Sequence, residues 1–203
     1  MIKIPVDKEE ISRNVQINEY LEYVKRSNLN VSEYELTRLN YPTKETLVKL
    51  NKYAQSFTDE SRTYGVYGLK EVGLVENLLY RTENSIVFGE DQFPTIRSKA
   101  AHFWYTLSRY QAFSNGNKRT GLLTALYFLE ANNLYLPLNC KCFLNLSEDI
   151  ANEKISENQL SEIVKEKIHF KQIKIRPNEE TKLICRILNE PEIRKAIEML
   201  AKE

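Results

Sequence analysis

The stretch "YQAFSNGNKRTG", Tyr110–Gly121, joins two apolar segments through a short turn and leads into the second with two adjacent cations. Before it, Ile96, Ala100, Phe103, Trp104 and Leu107 recur at helical spacing. After it, "RTGLLTALYFLEANN" is apolar on almost every face, which predicts a buried central helix ended by Asn132 and Asn133. Asn115-Gly116 is a tight-turn dipeptide that tolerates positive φ. A loop between two packed helices therefore ends at the amino terminus of the buried one. That terminus directs backbone N–H groups outward and carries partial positive charge, so it suits an anion. Asn117 can orient the loop or donate to an oxygen. Lys118 and Arg119 add two cations, and an Arg can grip a phosphate with two parallel hydrogen bonds. Each cation opposes the helix dipole by about 0.3–1 kcal/mol, a local conflict of the kind found at functional sites. Phe113 is expected to plug the loop against the core. The same residues also fit an ordinary solvated turn, so chemistry alone leaves both readings open.

Working outward, "ISRNVQINEYLEYVKRSN" predicts a first helix, and Thr43 is placed to cap "KETLVKLNKYAQSF" with Glu45 in its first turn. "SRTYGVYGLKEVG" reads as a loop, followed by a short helix at "LVENLLYR". "TENSIVFGEDQFPT" alone hints at extended structure, with a turn at Gly89, and predicts a short flap. Ser156 and Gln159 form a capping box for "ENQLSEIVKEKI", and two short helices split at Pro191 close the chain. The expected fold is all-α: a helical bundle over 43–175, with an N-terminal helical extension over 1–42 and a C-terminal helical tail over 176–203.

The 203 residues are 28% charged and 42% hydrophobic, with a formal net charge of +1, so no global field draws the chain to nucleic acid or membrane. No apolar run approaches the ~18 residues that span a bilayer, and the amino terminus lacks the apolar core of a signal peptide. Three cysteines, two of them in "CKC", fit neither a disulfide framework nor a zinc site and read as reduced thiols of a cytoplasmic protein.

"QAFSNGNKRT" resembles the signature of the Fic/Doc superfamily, H-x-F-x-[D/E/N]-[G/A]-N-[G/K]-R, and Lys118 is the residue found there in death-on-curing (Doc) proteins. "GLVENLLYR", "FGEDQFP", "AAHFWYTLSRYQAF" and "LLTALYFLEANNLYL" resemble the Doc pattern in the same order, over roughly residues 43–168. The resemblance implies a Fido fold whose central loop grips a nucleotide. It implies that Gly116, Asn117, Lys118 and Arg119 hold phosphates, that Phe113 anchors the loop, and that Asn115 stands where an acidic residue holds Mg²⁺. Doc proteins of this kind are toxins of toxin–antitoxin pairs, found on phages and plasmids. They phosphorylate elongation factor Tu from ATP and are silenced by a docked antitoxin.

Two positions depart from the enzyme form. Gln111 stands where the family has its base His, and a carboxamide cannot take a proton near neutral pH. Losing a general base costs about 10²–10⁴ in rate. Gln111 is expected to face inward, four residues after Leu107. Asn115 keeps an oxygen but loses the charge on which Mg²⁺ sites usually rest. Neither His102, on the opposite face of its helix, nor His169, in a basic linker, is a substitute base, and Tyr110 is expected to pack as an aromatic. The inhibitory [S/T]-x-x-x-E-[G/N] motif of self-restrained Fic proteins is absent, "SFTDES" being the nearest stretch. The leading expectation is a catalytically impaired, Doc-like regulatory protein that binds an antitoxin-like or other protein partner, with ATP and Mg²⁺ as candidate ligands. The alternative is a working phosphotransferase toxin in which Gln111 only orients the target hydroxyl. A nucleic-acid-binding role for "KEKIHFKQIKIR" ranks below both, because such runs are usually solvated linkers.

Overall fold

The computed structural model describes residues 1–56, 68–172 and 179–201. Its elements in chain order are β1 (Ile2–Val6), α1 (Arg13–Arg26), β2 (Tyr34–Arg38), α2 (Lys44–Ser56), α3 (Val72–Glu83), β3 (Ile86–Val87), β4 (Glu90–Asp91), α4 (Ile96–Arg109), α5 (Asn117–Ala131), β5 (Leu134–Tyr135), α6 (Cys140–Ala151), α7 (Glu157–Lys167), β6 (His169–Phe170), α8 (Glu180–Asn189) and α9 (Pro191–Leu200). The architecture is all-α, with only short strand pairs among the described residues.

Local chemistry accounts for most boundaries. The Thr46 amide donates to Thr43 Oγ1 at 3.2 Å and starts α2. Reciprocal side-chain capping starts α4 at Thr95 and Ser98, and α7 at Ser156 and Gln159. Between β3 and β4, Phe88 and Gly89 both take positive φ, 51° and 84°, which closes the expected flap as a two-residue hairpin. The loop expected over 61–73 lies largely outside the described residues, as does "SFTDES" beyond Ser56.

Helix α5 is the axis of the bundle. It is buried along nearly its whole length, with α4 and α2 against it and α6, α8 and α9 packed around its carboxyl half. The α4–α5 crossing is close because Gly121 has no side chain. A Cβ there would stand 2.5 Å from Ser108 Oγ and 2.7 Å from the Trp104 carbonyl oxygen. Trp104, Phe103, Phe113 and Phe128 fill the surrounding core.

The first forty residues hold more than the expected helix. β1 pairs with β2 in parallel, Ile4 opposite Leu36, across the α1 crossover. This unit shares the core of the bundle. Tyr20 and Tyr23 are fully buried, and Tyr20 Oη donates to the Asn132 carbonyl at 3.0 Å. Asp7, just past β1, lies 3.3 Å from Nζ of the wholly buried Lys99 on α4. Asp7 also accepts from Tyr41 Oη at 2.5 Å and Gln16 Nε2 at 2.6 Å. Lys99 completes its shell with the Thr82 carbonyl and Ser85 Oγ, at 2.8 and 3.0 Å.

In the tail, α8 and α9 are split at Pro191, as expected, and present amphipathic faces to α5 and α6. Cys140 is buried, Cys142 and Cys185 are exposed, and all three are free. No helix among the described residues is long and apolar enough to cross a membrane.

Candidate functional site

The site forms where α4 stops and α5 starts. α4 ends at Arg109, and Tyr110 takes extended dihedrals, φ −97° and ψ 134°. The helical register that would have turned Gln111 inward therefore ends one residue too early. Gln111 is exposed, a correction to the expected inward position. Tyr110 is 49% exposed rather than packed in the core, its ring 5.8 Å from the Arg109 guanidinium. Phe113 is buried as expected and plugs the loop.

Gly116 occupies the left-handed region at φ 74° and ψ 23° and is the residue before α5. Any other side chain there would be strained. The backbone ladder of α5 begins with Thr120 N donating to the Gly116 carbonyl at 2.9 Å, so the amides of residues 117–119 lie in the first turn, ahead of the ladder. Lys118 is half-buried in that turn. A helix start of this kind carries partial positive charge, to which the Lys118 ammonium adds.

Asn117, expected among the phosphate ligands, braces the loop. Its Oδ1 accepts from the Phe113 amide and its Nδ2 donates to the Phe113 carbonyl, both at 2.8 Å. Arg119 is only 2% exposed. Its guanidinium turns under the loop, with Nη1 3.4 Å from the Ala54 carbonyl and Nη2 3.4 Å from where a Gly116 Cβ would sit. A cation near the carboxyl end of α2 is electrostatically well placed. Asn115 points its Oδ1 at the Gly116 amide, 2.6 Å away.

Sequence reasoning missed the residues that hold this loop from outside. Asn51 of α2 donates from one Nδ2 to the Asn115 carbonyl and to Thr120 Oγ1, both at 2.9 Å, and Gln55 donates to Asn51 Oδ1 at 2.7 Å. On the other side, the Ala112 carbonyl accepts from the Lys70 and Glu71 amides at 2.9 and 3.0 Å, and Ser114 N donates to the Gly68 carbonyl at 3.0 Å. Two polar residues one turn apart on a mainly apolar helix, Asn51 and Gln55, were the available signal.

His102 lies away from the loop in its bonding: its ring stacks on Phe93 with centroids 4.0 Å apart, and Nδ1 is 3.0 Å from Glu157. His169 belongs to β6, paired with Tyr135 of β5, rather than to a linker. In the basic run, Lys171 lies 4.0 Å from Glu190, and Lys174 and Arg176 fall outside the described residues.

Among the described residues there is no cluster of three or more His, Cys, Asp or Glu able to hold a metal ion, and the one oxygen expected to serve, Asn115 Oδ1, already accepts a backbone N–H.

A family model described as the Fic/DOC family matches residues 41–129. Over 89 residues the chain is 32% identical to a protein named Toxin Doc from Mycolicibacterium smegmatis (strain ATCC 700084 / mc(2)155), a match covering 44% of this chain. It spans 66% of that relative, just under two thirds of its length.

Proposed function

We propose, for a chain that belongs to the Fic/Doc family, that it is a Doc-like protein of toxin–antitoxin type whose phosphotransfer is disabled at Gln111 and whose work is protein binding. The observation that carries this reading is the pairing of an intact loop with an exposed carboxamide at its mouth. Gly116 in the left-handed region and the first turn of α5 would keep a phosphate cradle, with Lys118 beside it. Gln111 can accept or donate a hydrogen bond to a target hydroxyl but cannot remove its proton. His102 is engaged with Glu157 and offers no replacement. Asn117 and Arg119 would serve by shaping the loop, since their side chains are turned to backbone groups of the protein. Bound ATP would bring the transferable phosphate. Any Mg²⁺ would rest on the nucleotide more than on this chain. The partner is a protein, of antitoxin or regulatory kind, in the cytoplasm.

Calorimetry of the purified chain with ATP, with and without Mg²⁺, tests the cradle, with Lys118→Ala as the control. Binding that weakens in Lys118→Ala, together with ATP-dependent labelling of a cell lysate only by Gln111→His, supports the reading. Labelling by the wild type at the level of Gln111→His would establish a working phosphotransferase instead.

A further inference from the structure

The two outer edges of the β1–β2 pair are built differently. In a parallel pair, alternate residues of each strand turn their backbone groups toward the neighbour. The Ile2 amide donates to the Glu33 carbonyl at 3.2 Å and the Leu39 amide to the Val6 carbonyl at 3.1 Å, with Ile4 opposite Leu36 between them. Ile2, Ile4 and Val6 therefore turn their backbone to β2, and residues 33, 35, 37 and 39 turn theirs to β1. The far edge of β1 carries Lys3 and Pro5, the two residue types that blunt an open edge, and Pro5 has no N–H to offer. The far edge of β2 presents the N–H and C=O groups of Tyr34, Leu36 and Arg38. Among the described residues no strand takes them up, and "YELTR" contains neither lysine nor proline.

The side chains of this edge continue the core. Register partners share a face of a sheet, so Tyr34, Leu36 and Arg38 stand on the face where Ile2, Ile4 and Val6 are buried. Ile4 is fully buried, whereas Tyr34 and Leu36, one strand farther out, are 47% and 45% exposed. The apolar face runs on past the last strand. Charge along β2 has a direction: Glu33 and Glu35 lie toward its start and Arg38 at its end, all three exposed. A strand that complements this edge runs antiparallel with the reverse order of charge. A second β2, related by a two-fold axis, supplies that order by symmetry.

We propose that two copies of this chain associate through β2, paired antiparallel about Leu36, to form one four-stranded sheet. In this register Leu36 lies opposite its own counterpart, Tyr34 opposite Arg38, and Glu35 opposite Thr37. Every outward-facing residue of the strand then pairs through its backbone, and the Arg38 guanidinium reaches the Tyr34 ring across the interface. Centring the pair on Glu35 would oppose two carboxylates, and centring it on Arg38 two guanidiniums, both unfavourable. No residue of the loop at Gly116 takes part.

Sedimentation equilibrium of the full chain from about 10 µM to about 1 mM tests the proposal, the small contact setting a dimer Kd of roughly 100 µM. Leu36→Lys, checked for folding by circular dichroism, sets two like charges at the centre and should weaken the dimer at least about tenfold. Cross-linking gives a second reading. With the exposed Cys142→Ser and Cys185→Ser in place, Leu36→Cys should oxidise to a disulfide-linked dimer, because Cα atoms of such a pair stand about 5.5 Å apart. Lys3→Cys, one strand farther from the axis, should stay monomeric. A wild type that remains monomeric throughout the range overturns the proposal and leaves the edge to a strand of another protein. A dimer that Leu36→Lys leaves intact, or equal cross-linking of Leu36→Cys and Lys3→Cys, overturns it as well.

Discussion

At its amino end α5 meets a loop onto which the Asn117 side chain is turned back, whereas its carboxyl end carries a buried carboxylate oxygen that no hydrogen bond reaches. Both ends are braced by a buried asparagine. Asn51 ties the loop to α2, and Asn132 exchanges hydrogen bonds with the Asn40 backbone at 2.9 and 3.1 Å. The bracing is alike and what it leaves over is not. At the amino end Gln111 is exposed and carries a chemically mild carboxamide. At the other, Glu130 is chemically demanding but enclosed. Motif residues are therefore an incomplete guide to which groups face a cavity or solvent. Asn117 and Arg119 lie inside the signature and shape the protein, while Glu130 lies outside it and lines an open cavity.

The contrast breaks most decisively at Gln111. Restoring a base with Gln111→His should raise ATP-dependent target labelling by about 10²–10⁴-fold, equivalent to roughly 3–5 kcal/mol of barrier. Unchanged labelling, measured with radioactive ATP, would mean that the loop geometry rather than the missing base limits the reaction.

The carboxyl end is sharpened by pH. Burial pushes the Glu130 carboxyl from 4.5 up to about 7, against the opposing charges of Arg186 and Lys171 and with help from Glu190. The folded protein thus holds this proton more tightly than the unfolded chain. The stability so gained is present in full below about pH 4.5 and is lost as pH rises through about 7. Glu130→Gln should match the wild type near pH 4.5 and exceed it by up to about 3 kcal/mol at pH 8, read from urea denaturation. Parallel curves for the two proteins would show that the carboxyl group is effectively solvated.

Gly121→Ala should cost about 2 kcal/mol, because the added methyl must push aside the Trp104 carbonyl rather than a mobile side-chain tip. A loss under about 0.5 kcal/mol in thermal unfolding would show that the α4–α5 crossing gives way easily. The smallest effect belongs to Lys118→Ala. With a half-buried ammonium as one contributor among several, ATP should bind about three- to tenfold more weakly, and less so at high salt.

Elements with local signals could be read directly from the chain. Thr43, Ser156 and Gln159 announced their helices by capping chemistry, and the apolar run after Gly121 announced the central one. Gly116 was readable because a tight turn before a buried helix demands positive φ. The parallel pairing of "IKIPV" with "YELTR" was not, since parallel partners need no shared turn and leave no local trace. The burial of Arg119 was not readable, because a charged residue is expected at the surface, whereas its guanidinium lies 3.4 Å from the Ala54 carbonyl. Gln111 was misjudged by a single residue of helix length. Glu130 reads in sequence as an acid near a helix end. Its enclosure depends on α8 and α9, which arrive some fifty residues later.

The Asp7–Lys99 pair has a bearing on ancestry. Once an ammonium is sealed inside the bundle against a carboxylate from the first strand, neither gene position can drift alone, because each single loss strands the other charge at a cost of about 3–5 kcal/mol. The amino-terminal strand is then entrenched. Descendants of this sequence can elaborate residues 1–40, but they cannot shed them without first neutralising a lysine that lies ninety-two positions downstream.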